Sequence, residues 1–204
     1  FCDLGVASEI MRAIADQGFE YCTSIQRELL PTALTGSDTT GKAQTGTGKT
    51  AAFLIAIYEH LIRNPSPQER LRGMPRVLIL APTRELVLQL EKDTLAMGKY
   101  TEIKTLAVLG GVGYNRQKQT LKEKAIDILI ATPGRLLDFQ RQRRVDLRKV
   151  EILVIDEADR MLDMGFQEDI MRIITMSPKH RQTLLFSATR SEERRVGKEC
   201  RSRW

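Results

Sequence analysis

Cysteine and histidine are scarce in this sequence, and their scarcity excludes several kinds of site. The 204 residues include three cysteines, Cys2, Cys22 and Cys200, without Cys-x-x-Cys spacing, and only two histidines. Neither a structural zinc site nor a disulfide framework is therefore expected, and a reducing compartment, the cytoplasm, is favoured. No apolar run approaches the roughly 20 residues that a membrane-spanning helix needs.

Positive charge exceeds negative charge only slightly in this sequence. The chain has 32 Lys and Arg against 26 Asp and Glu, a net charge of +6. This balance suits a polyanionic partner but does not identify one. The length fits one domain of common size. Because the chain begins with Phe1 rather than methionine, we expect it to be a piece of a longer protein.

One glycine-rich segment directly precedes a helix-forming run, Ala51 to Ile62. It reads AQTGTGKT and consists of Ala43, Gln44, Thr45, Gly46, Thr47, Gly48, Lys49 and Thr50. In such a loop the backbone N–H groups and the start of the helix face a polyphosphate. Lys49 is expected to reach the β- and γ-phosphates, and the Thr50 hydroxyl to bind Mg²⁺. The alternative is a Gly/Thr turn that only caps a helix, and Ala43 stands where a leading glycine is usual.

The apolar runs downstream indicate a parallel sheet. They are Val77–Ala81, Ile103–Leu109, Ile126–Ala131, Val150–Ile155 and Thr183–Phe186, with a further short strand near Asp38–Lys42. Near-continuous Val, Ile and Leu runs are typical of strands buried on both faces. Helical patterns alternate with these runs or precede them, at Ser8–Asp16, Ser24–Leu34, Arg84–Met97 and Tyr114–Lys124, with Ser24 as the expected N-cap of its helix. The fold class is therefore α/β, a doubly wound, mainly parallel sheet with helices on both faces.

Polar or glycine-containing clusters follow the predicted strands at once. They read PTRE (82–85), GG (110–111), TPGR (132–135), DEAD (156–159) and SAT (187–189). In a parallel sheet the carboxyl ends of the strands lie on one edge, where ligands of such folds bind. We expect this edge to carry the chemistry, together with the phosphate loop.

These motifs, in this order, resemble the first RecA-like domain of the DEAD-box RNA helicases. The resemblance covers Phe1 to about Thr189, with an adenine-reading segment in residues 1–26 and no second RecA-like domain. It implies ATP and Mg²⁺ as cofactors. Asp156 would hold Mg²⁺ and Glu157 would orient or deprotonate the attacking water, whereas an acidic pair after a strand is otherwise usually a helix cap. Phe19, Thr23 and Gln26 would contact adenine, although Gln26 viewed alone reads as a surface glutamine.

The resemblance also implies an RNA-contacting surface and a coupling motif. The implied RNA contacts are Pro82, Thr83, Arg84, Gly110, Gly111, Thr132, Pro133, Gly134 and Arg135. Glycines allow backbone N–H groups to approach phosphates and arginines add charge, so binding would be independent of base sequence. Ordinary turns and helix starts explain any one of these loops about as well. The coupling residues would be Asp159, Ser187, Ala188 and Thr189, with hydrogen bonds from the Ser-Ala-Thr motif to Asp159.

Other features favour structural roles. The basic run at Arg141, Arg143, Arg144, Arg148 and Lys149 is interpreted as a solvated face. Met161, Leu162, Phe166, Ile170 and Ile173 recur at helical spacing and are expected in the core. His60 and His180 have no predicted partner and are assigned no function.

The combined prediction is the ATP-binding half of an ATP-dependent RNA helicase that opens short duplexes locally or remodels RNA–protein complexes. The expected partners are RNA and the missing second RecA-like domain, with no membrane. Two alternatives stay open: a module that binds ATP and RNA without sustained turnover, and a DNA translocase of the same fold, against which the DEAD and TPGR elements argue.

The last fifteen residues differ sharply from the rest of the chain. Residues 190–204 contain six basic and three acidic residues, which contribute +3 of the net charge, and Val196 is the only aliphatic side chain among them. No helical or strand period is visible. The segment resembles an in-frame translation of a sequencing-library adapter, so we expect an artefactual tail outside the fold.

Overall fold

The computed structural model describes residues 1, 4–42, 46–66, 71–111 and 113–188. Within these ranges the helices are α1 (Ser8–Asp16), α2 (Ser24–Ala33), α3 (Lys49–Arg63), α4 (Arg84–Met97), α5 (Tyr114–Glu123), α6 (Pro133–Arg141), α7 (Ala158–Asp163) and α8 (Gln167–Met176). The strands are β1 (Thr39–Lys42), β2 (Val77–Leu80), β3 (Thr105–Val108), β4 (Ile128–Ala131), β5 (Ile152–Ile155) and β6 (Gln182–Ser187). The predicted tail, 190–204, lies outside the described residues.

All six strands run parallel in one sheet with the order β1-β6-β5-β2-β4-β3. Every residue of β2, β4 and β5 is buried, as expected for strands covered by helices on both faces. The predicted α/β class is confirmed. The two threonines of β1 are tolerated because β1 is an edge strand, in which only Gly41 is buried.

Successive strand residues point to opposite faces and supply two separate cores. Val77 and Ile79 of β2 pack with α1–α4, whereas Leu78 and Leu80 pack with α5–α8. The sheet is thus the common wall of two apolar layers. Most of α3 is buried, including Phe53, which contacts the ring of Phe186 at a centroid distance of 5.5 Å.

Several predicted boundaries need correction. Thr23, rather than Ser24, is the N-cap of α2: the Gln26 N–H donates to the Thr23 hydroxyl, and the Thr23 N–H donates to the Gln26 amide oxygen. The third strand is shorter than Ile103–Leu109, since only Thr105–Val108 pairs with β4. Of the apolar series predicted in the core, Met161, Ile170 and Ile173 are buried, and Leu162 and Phe166 are partly buried against them. The series spans two helices, because the chain turns at Gly165 with φ of 80°.

His60 does have a partner, contrary to expectation. Its Nε2 lies 2.7 Å from Oε2 of Glu151, which also accepts hydrogen bonds from the Arg76 guanidinium. These contacts join α3 to the residues that precede β5 and β2. In the described part of the chain, no helix is long and apolar enough to cross a membrane.

Candidate functional site

The start of α3 forms the floor of the first candidate site. Gly48 is the N-cap of α3 and has φ of 88°, and Gly46 has φ of 83°, a left-handed conformation that glycine adopts without steric cost. A Cβ on Gly48 would also lie 2.6 Å from Nε2 of Gln26. Thr47 lies between these glycines, whereas Ala43, Gln44 and Thr45 lie outside the described residues. The two glycines thus bring the chain into α3 with its free N–H groups at the site.

Lys49 and Asp156 form a buried ion pair beside this loop. Nζ of Lys49 lies 2.7 Å from Oδ1 of Asp156, and the two side chains are 5% and 0% exposed. Burial raises the pKa of Asp156, and the charge and hydrogen bond of Lys49 oppose that shift only in part. Oδ1 also accepts the Glu157 N–H, at 3.0 Å. The other carboxylate oxygen, Oδ2, is buried without a hydrogen-bond partner among the described residues.

A cavity of about 420 Å³ opens onto this pair. Its lining includes Phe19, Gly46, Gly48, Lys49, Thr50 and Asp156. The predicted phosphate-loop residues and the predicted magnesium ligand therefore share one cavity, with the 39% exposed ring of Phe19 at its wall. In the described residues no group of three or more His, Cys, Asp or Glu side chains could hold a metal ion by itself. One carboxylate, one hydroxyl and a polyphosphate together fit Mg²⁺, which prefers few protein ligands plus substrate phosphates.

Gln26 does not face the cavity in this structure. It is 3% exposed, its amide oxygen accepts the Thr23 N–H, and its Nε2 donates to the Gly48 carbonyl at 3.0 Å. The glutamine thus ties the N-cap of α2 to the N-cap of α3. Its predicted contact with adenine remains a prediction.

Glu157 has an unexpected backbone conformation. Its φ of 54° and ψ of 51° lie in the left-handed region, and it is the N-cap of α7. Few non-glycine residues adopt this conformation, which costs free energy and is enriched at functional sites. Its carboxylate, 14% exposed, accepts a hydrogen bond from Arg160 at 3.2 Å. No sequence pattern predicted this conformation.

The residues predicted to couple meet where α7 lies beside the end of β6. Oδ2 of Asp159 accepts the N–H of Ala188 at 2.9 Å, and Ser187 is fully buried at the end of β6. One hydrogen bond between the two motifs therefore comes from a backbone N–H. Thr189 lies outside the described residues.

A second cavity, of about 490 Å³, lies at the carboxyl ends of β2, β3 and β4. Its lining includes Pro82, Thr83, Arg84, Gly110, Thr132 and Arg135. Thr83 caps α4 through its hydroxyl, and Thr132 is the N-cap of α6, which starts with Pro133 and Gly134. These residues come from the loops after β2, β3 and β4.

Two guanidinium groups converge on the glycines of this second cavity. A Cβ on Gly110 would lie 3.3 Å from Nη2 of Arg84 and 3.5 Å from Nη2 of Arg135. Gly111 has φ of 90°, and a Cβ there would collide with Arg84 Nη1. The glycines thus leave room for two cations side by side, an arrangement that suits an anion between them.

The comparison with protein families matches the chain over residues 23–196 to the DEAD/DEAH box helicases. The chain belongs to the DEAD/DEAH box helicase family. The matched region contains the second cavity and all of the first except its Gln17 and Phe19 side, and it ends inside the charged terminal segment.

Similar curated proteins include ATP-dependent RNA helicases named RhlB. The one from Pseudomonas syringae pv. tomato is 53% identical over 195 residues, which are 95% of this chain and 49% of that protein. The one from Shewanella baltica is 46% identical over 193 residues, covering 94% of this chain and 44% of its own length. The chain thus spans about half the length of the curated relatives it matches.

The strand order divides the helicase motifs between two halves of one edge. The phosphate loop, SAT and DEAD follow β1, β6 and β5, whereas PTRE, TPGR and the glycine pair follow β2, β4 and β3. The motifs predicted to bind nucleotide or to couple therefore lie beside the basic loops on the same edge, with the boundary between β5 and β2.

Proposed function

We propose that this chain is the ATP-binding half of an ATP-dependent RNA helicase that opens short duplexes locally or remodels RNA–protein complexes. The observation that carries the proposal is the buried Lys49–Asp156 pair at a cavity that the glycine loop and Thr50 also line. The basic cavity on the same sheet edge, with Arg84 and Arg135, supports RNA as the second ligand. A cytoplasmic location fits both the ligands and the scarcity of cysteine.

In the proposed reaction Lys49 turns from Asp156 towards the β- and γ-phosphates of ATP. This exchange keeps the buried ammonium paired with an anion throughout. It also frees Asp156 which, with the Thr50 hydroxyl, would hold Mg²⁺. When bound, the metal ion neutralises charge on the phosphate oxygens. The unpartnered Oδ2 of Asp156 supports this assignment, since a buried carboxylate oxygen needs a donor or a cation.

Glu157 follows Asp156 directly and is proposed to orient or deprotonate the attacking water. Its left-handed backbone supports this role, because a strained conformation is maintained only where the surrounding structure enforces it. Asp159, two residues further on, holds the N–H of Ala188. A shift of Asp156 or Glu157 on nucleotide binding would pass through α7 to the end of β6, which is the proposed coupling.

RNA is proposed to bind through its phosphates at the second cavity. Arg84 and Arg135 supply charge, and Gly110 and Gly111 leave their backbone accessible. Contacts of this kind fix the position of a strand without reading its bases. Preference for RNA over DNA would depend on the 2′-hydroxyl groups.

The test is ATP hydrolysis by the chain alone, with single-stranded RNA and with single-stranded DNA. We expect measurable hydrolysis that RNA stimulates more than DNA and that Glu157→Gln abolishes. Equal stimulation by DNA would favour a DNA translocase. ATP and RNA binding without any turnover would favour the binding module, which the half-length match to the relatives also allows. Absence of ATP binding would contradict the proposal.

RNA binding should also depend steeply on salt. For single-stranded nucleic acid, the slope of log K against log salt is about −0.7 per neutralised phosphate. We expect affinities for oligo(U) and oligo(A) of similar size, both weakening between about 50 and 200 mM salt. A strong preference for one base sequence, unchanged by salt, would contradict binding through phosphates.

A further inference from the structure

We propose that Tyr114 is a positioning residue that holds Arg135 ready to contact an RNA phosphate. This inference rests on the proposed RNA-binding function of the second cavity and adds a residue that no motif includes. The ring of Tyr114 lies 5.2 Å from Cζ of Arg135, and the ring of Phe139 lies 5.9 Å from it. The two rings stack on each other at 5.5 Å with an interplanar angle of 18°. A guanidinium beside aromatic faces is attracted by the negative face of each ring.

Arg135 has few polar contacts that would hold its guanidinium in place. Its ion pair with Asp138 is long, 3.8 Å, and Asp138 also faces Arg141 at 3.7 Å. The Nε of Arg135 is buried and has no hydrogen-bond partner among the described residues. A long side chain with so few polar contacts would lose rotamer freedom on binding a phosphate. The aromatic pair restricts that freedom before binding.

Tyr114 also connects Arg135 to the glycine loop. It is the first residue of α5 and follows Gly113, the N-cap, which has φ of 63°. Its hydroxyl donates a hydrogen bond to Oε1 of Gln142, just beyond the end of α6, at 2.6 Å. One side chain therefore joins the Gly110–Gly111 loop to the helix that carries Arg135. Displacement of Tyr114 would move the guanidinium and the loop relative to each other.

A purely structural role for Tyr114 predicts different results from a positioning role. The ring is partly buried against the core that includes Phe139 and Leu136, so any apolar side chain of similar size could fill the space. Only an electron-rich ring would also hold the cation. Tyr100 is a matched control, because its ring lies 4.2 Å from Cζ of Arg12 and packs against the other core.

The experiment measures the affinity of the whole 204-residue chain for fluorescein-labelled oligo(U) by anisotropy, at several salt concentrations. Tyr114→Leu should weaken RNA binding about three- to tenfold, the range expected for a lost cation–π contact. The slope of log K against log salt should become shallower in Tyr114→Leu, as we also expect for Arg135→Ala. In the Arg135→Ala background, Tyr114→Leu should have no further effect, because both changes remove the same contact. Tyr100→Leu should leave RNA affinity unchanged, and ATP affinity should be unchanged in Tyr114→Leu.

A second pair of variants separates charge attraction from packing. Tyr114→Phe keeps the ring, whereas 4-cyanophenylalanine at position 114 keeps its shape but withdraws electron density from its face. We expect weaker RNA binding for the cyano variant than for Tyr114→Phe, at equal free energy of unfolding. This comparison holds even if Tyr114→Leu does not fold.

The outcomes distinguish the two proposals. Unchanged RNA affinity in Arg135→Ala would overturn the proposed RNA contact at this cavity. Weaker binding in Arg135→Ala, with equal affinities for wild type, Tyr114→Leu and the cyano variant, would overturn only the role of Tyr114. A loss in Tyr114→Leu that adds fully to that of Arg135→Ala would likewise show that Tyr114 does not act through Arg135.

Discussion

Glu157 combines a left-handed backbone with the proposed role of orienting or deprotonating the attacking water. Glycine adopts this conformation without the Cβ clash, which costs other residues roughly 1–2 kcal/mol. Replacing Glu157 by glycine should therefore relieve the backbone strain and abolish ATP hydrolysis at the same time. Such opposition is the usual sign of a functional constraint.

Two substitutions of Glu157 test this opposition. Both Glu157→Gln and Glu157→Gly should abolish ATP hydrolysis while keeping ATP binding. Glu157→Gly should be more stable than Glu157→Gln by about 0.5–1 kcal/mol, after deduction of the larger unfolded-state entropy of glycine. Urea denaturation and a phosphate-release assay measure the two effects. Equal stability of the two variants would contradict the strain, and hydrolysis by Glu157→Gln would contradict the assigned role.

Lys49 is both the proposed phosphate ligand and the counter-charge of a buried carboxylate. Lys49→Ala should remove tight ATP binding, measured by titration calorimetry. It should also lower the free energy of unfolding at neutral pH by about 3–5 kcal/mol, because Asp156 stays buried without its partner. Unchanged ATP affinity in this variant would contradict the phosphate-loop assignment.

The pH dependence of Lys49→Ala follows from the raised pKa of Asp156. A carboxyl whose pKa is raised in the folded state binds its proton more tightly there than in the unfolded chain. Stability is then greatest at acidic pH and falls as pH rises through the folded-state pKa. We expect this trend to be stronger in Lys49→Ala than in wild type. The double variant Lys49→Ala/Asp156→Asn should lack the trend, and its persistence there would assign the effect to another group.

Among the elements, the contacts of Glu151 join α3 to the starts of β2 and β5. Burial by itself would raise the pKa of Glu151, but the hydrogen bonds and charges of His60 and Arg76 outweigh it and lower the pKa to about 2, from an ordinary value of 4.5. Because the pKa is lowered on folding, the stabilisation is present above pH 4.5. It is lost as pH falls from 4.5 towards 2.

Glu151→Gln should therefore reduce stability at pH 7 and show less further loss below pH 4.5 than wild type. Chemical denaturation at a series of pH values gives the comparison. Since Glu151 is partly exposed, the effect should be modest and should shrink at high salt. If the free energy of unfolding falls equally in wild type and Glu151→Gln below pH 4.5, the Glu151 carboxyl is not the source of the acid sensitivity. Arg141→Ala is the control, because that residue pairs with Asp138 on the surface, away from Glu151.

For the molecule as a whole, the central question is how much catalysis one RecA-like domain supports. The chain spans about half the length of relatives named as ATP-dependent RNA helicases. The resemblance implies a second RecA-like domain whose arginines complete the ATP site. Supplying such an arginine accelerates related nucleotide hydrolases about 10³–10⁵-fold. That range corresponds to roughly 4–7 kcal/mol of activation free energy.

The chain alone should accordingly bind ATP but hydrolyse it slowly. We would fuse to this chain the part of a relative that lies outside the matched half. The fusion should hydrolyse ATP faster by several orders of magnitude, measured as phosphate release with RNA present. The same fusion carrying Glu157→Gln is the matched control. RNA-stimulated turnover by residues 1–204 at the rate of the fusion would contradict this prediction.

Much of this architecture could be predicted because it depends on short-range patterns. Helix α4 has the bounds read from the sequence, since Thr83 caps it and its apolar spacing is regular. Strand positions followed from short continuous apolar runs, which are typical of strands buried on both faces of a sheet. The sequence predicts residues 132–135 only as a loop, whereas the structure starts α6 at Pro133, and proline at the first helical position is itself a helix-start signal.

The amino-acid sequence by itself determined the family, the alternation of strands and helices, and the motifs that end at one edge. These depend on residue type and spacing along the chain. The order β1-β6-β5-β2-β4-β3, which divides the edge into the proposed nucleotide and RNA halves, depended on contacts between residues far apart in the chain. Three further contacts also depended on the tertiary structure. They are the burial of Gln26 against Gly48, the His60–Glu151 contact and the position of the Tyr114 ring beside Arg135. Such contacts form only when packing brings the helices together, so no local period encodes them.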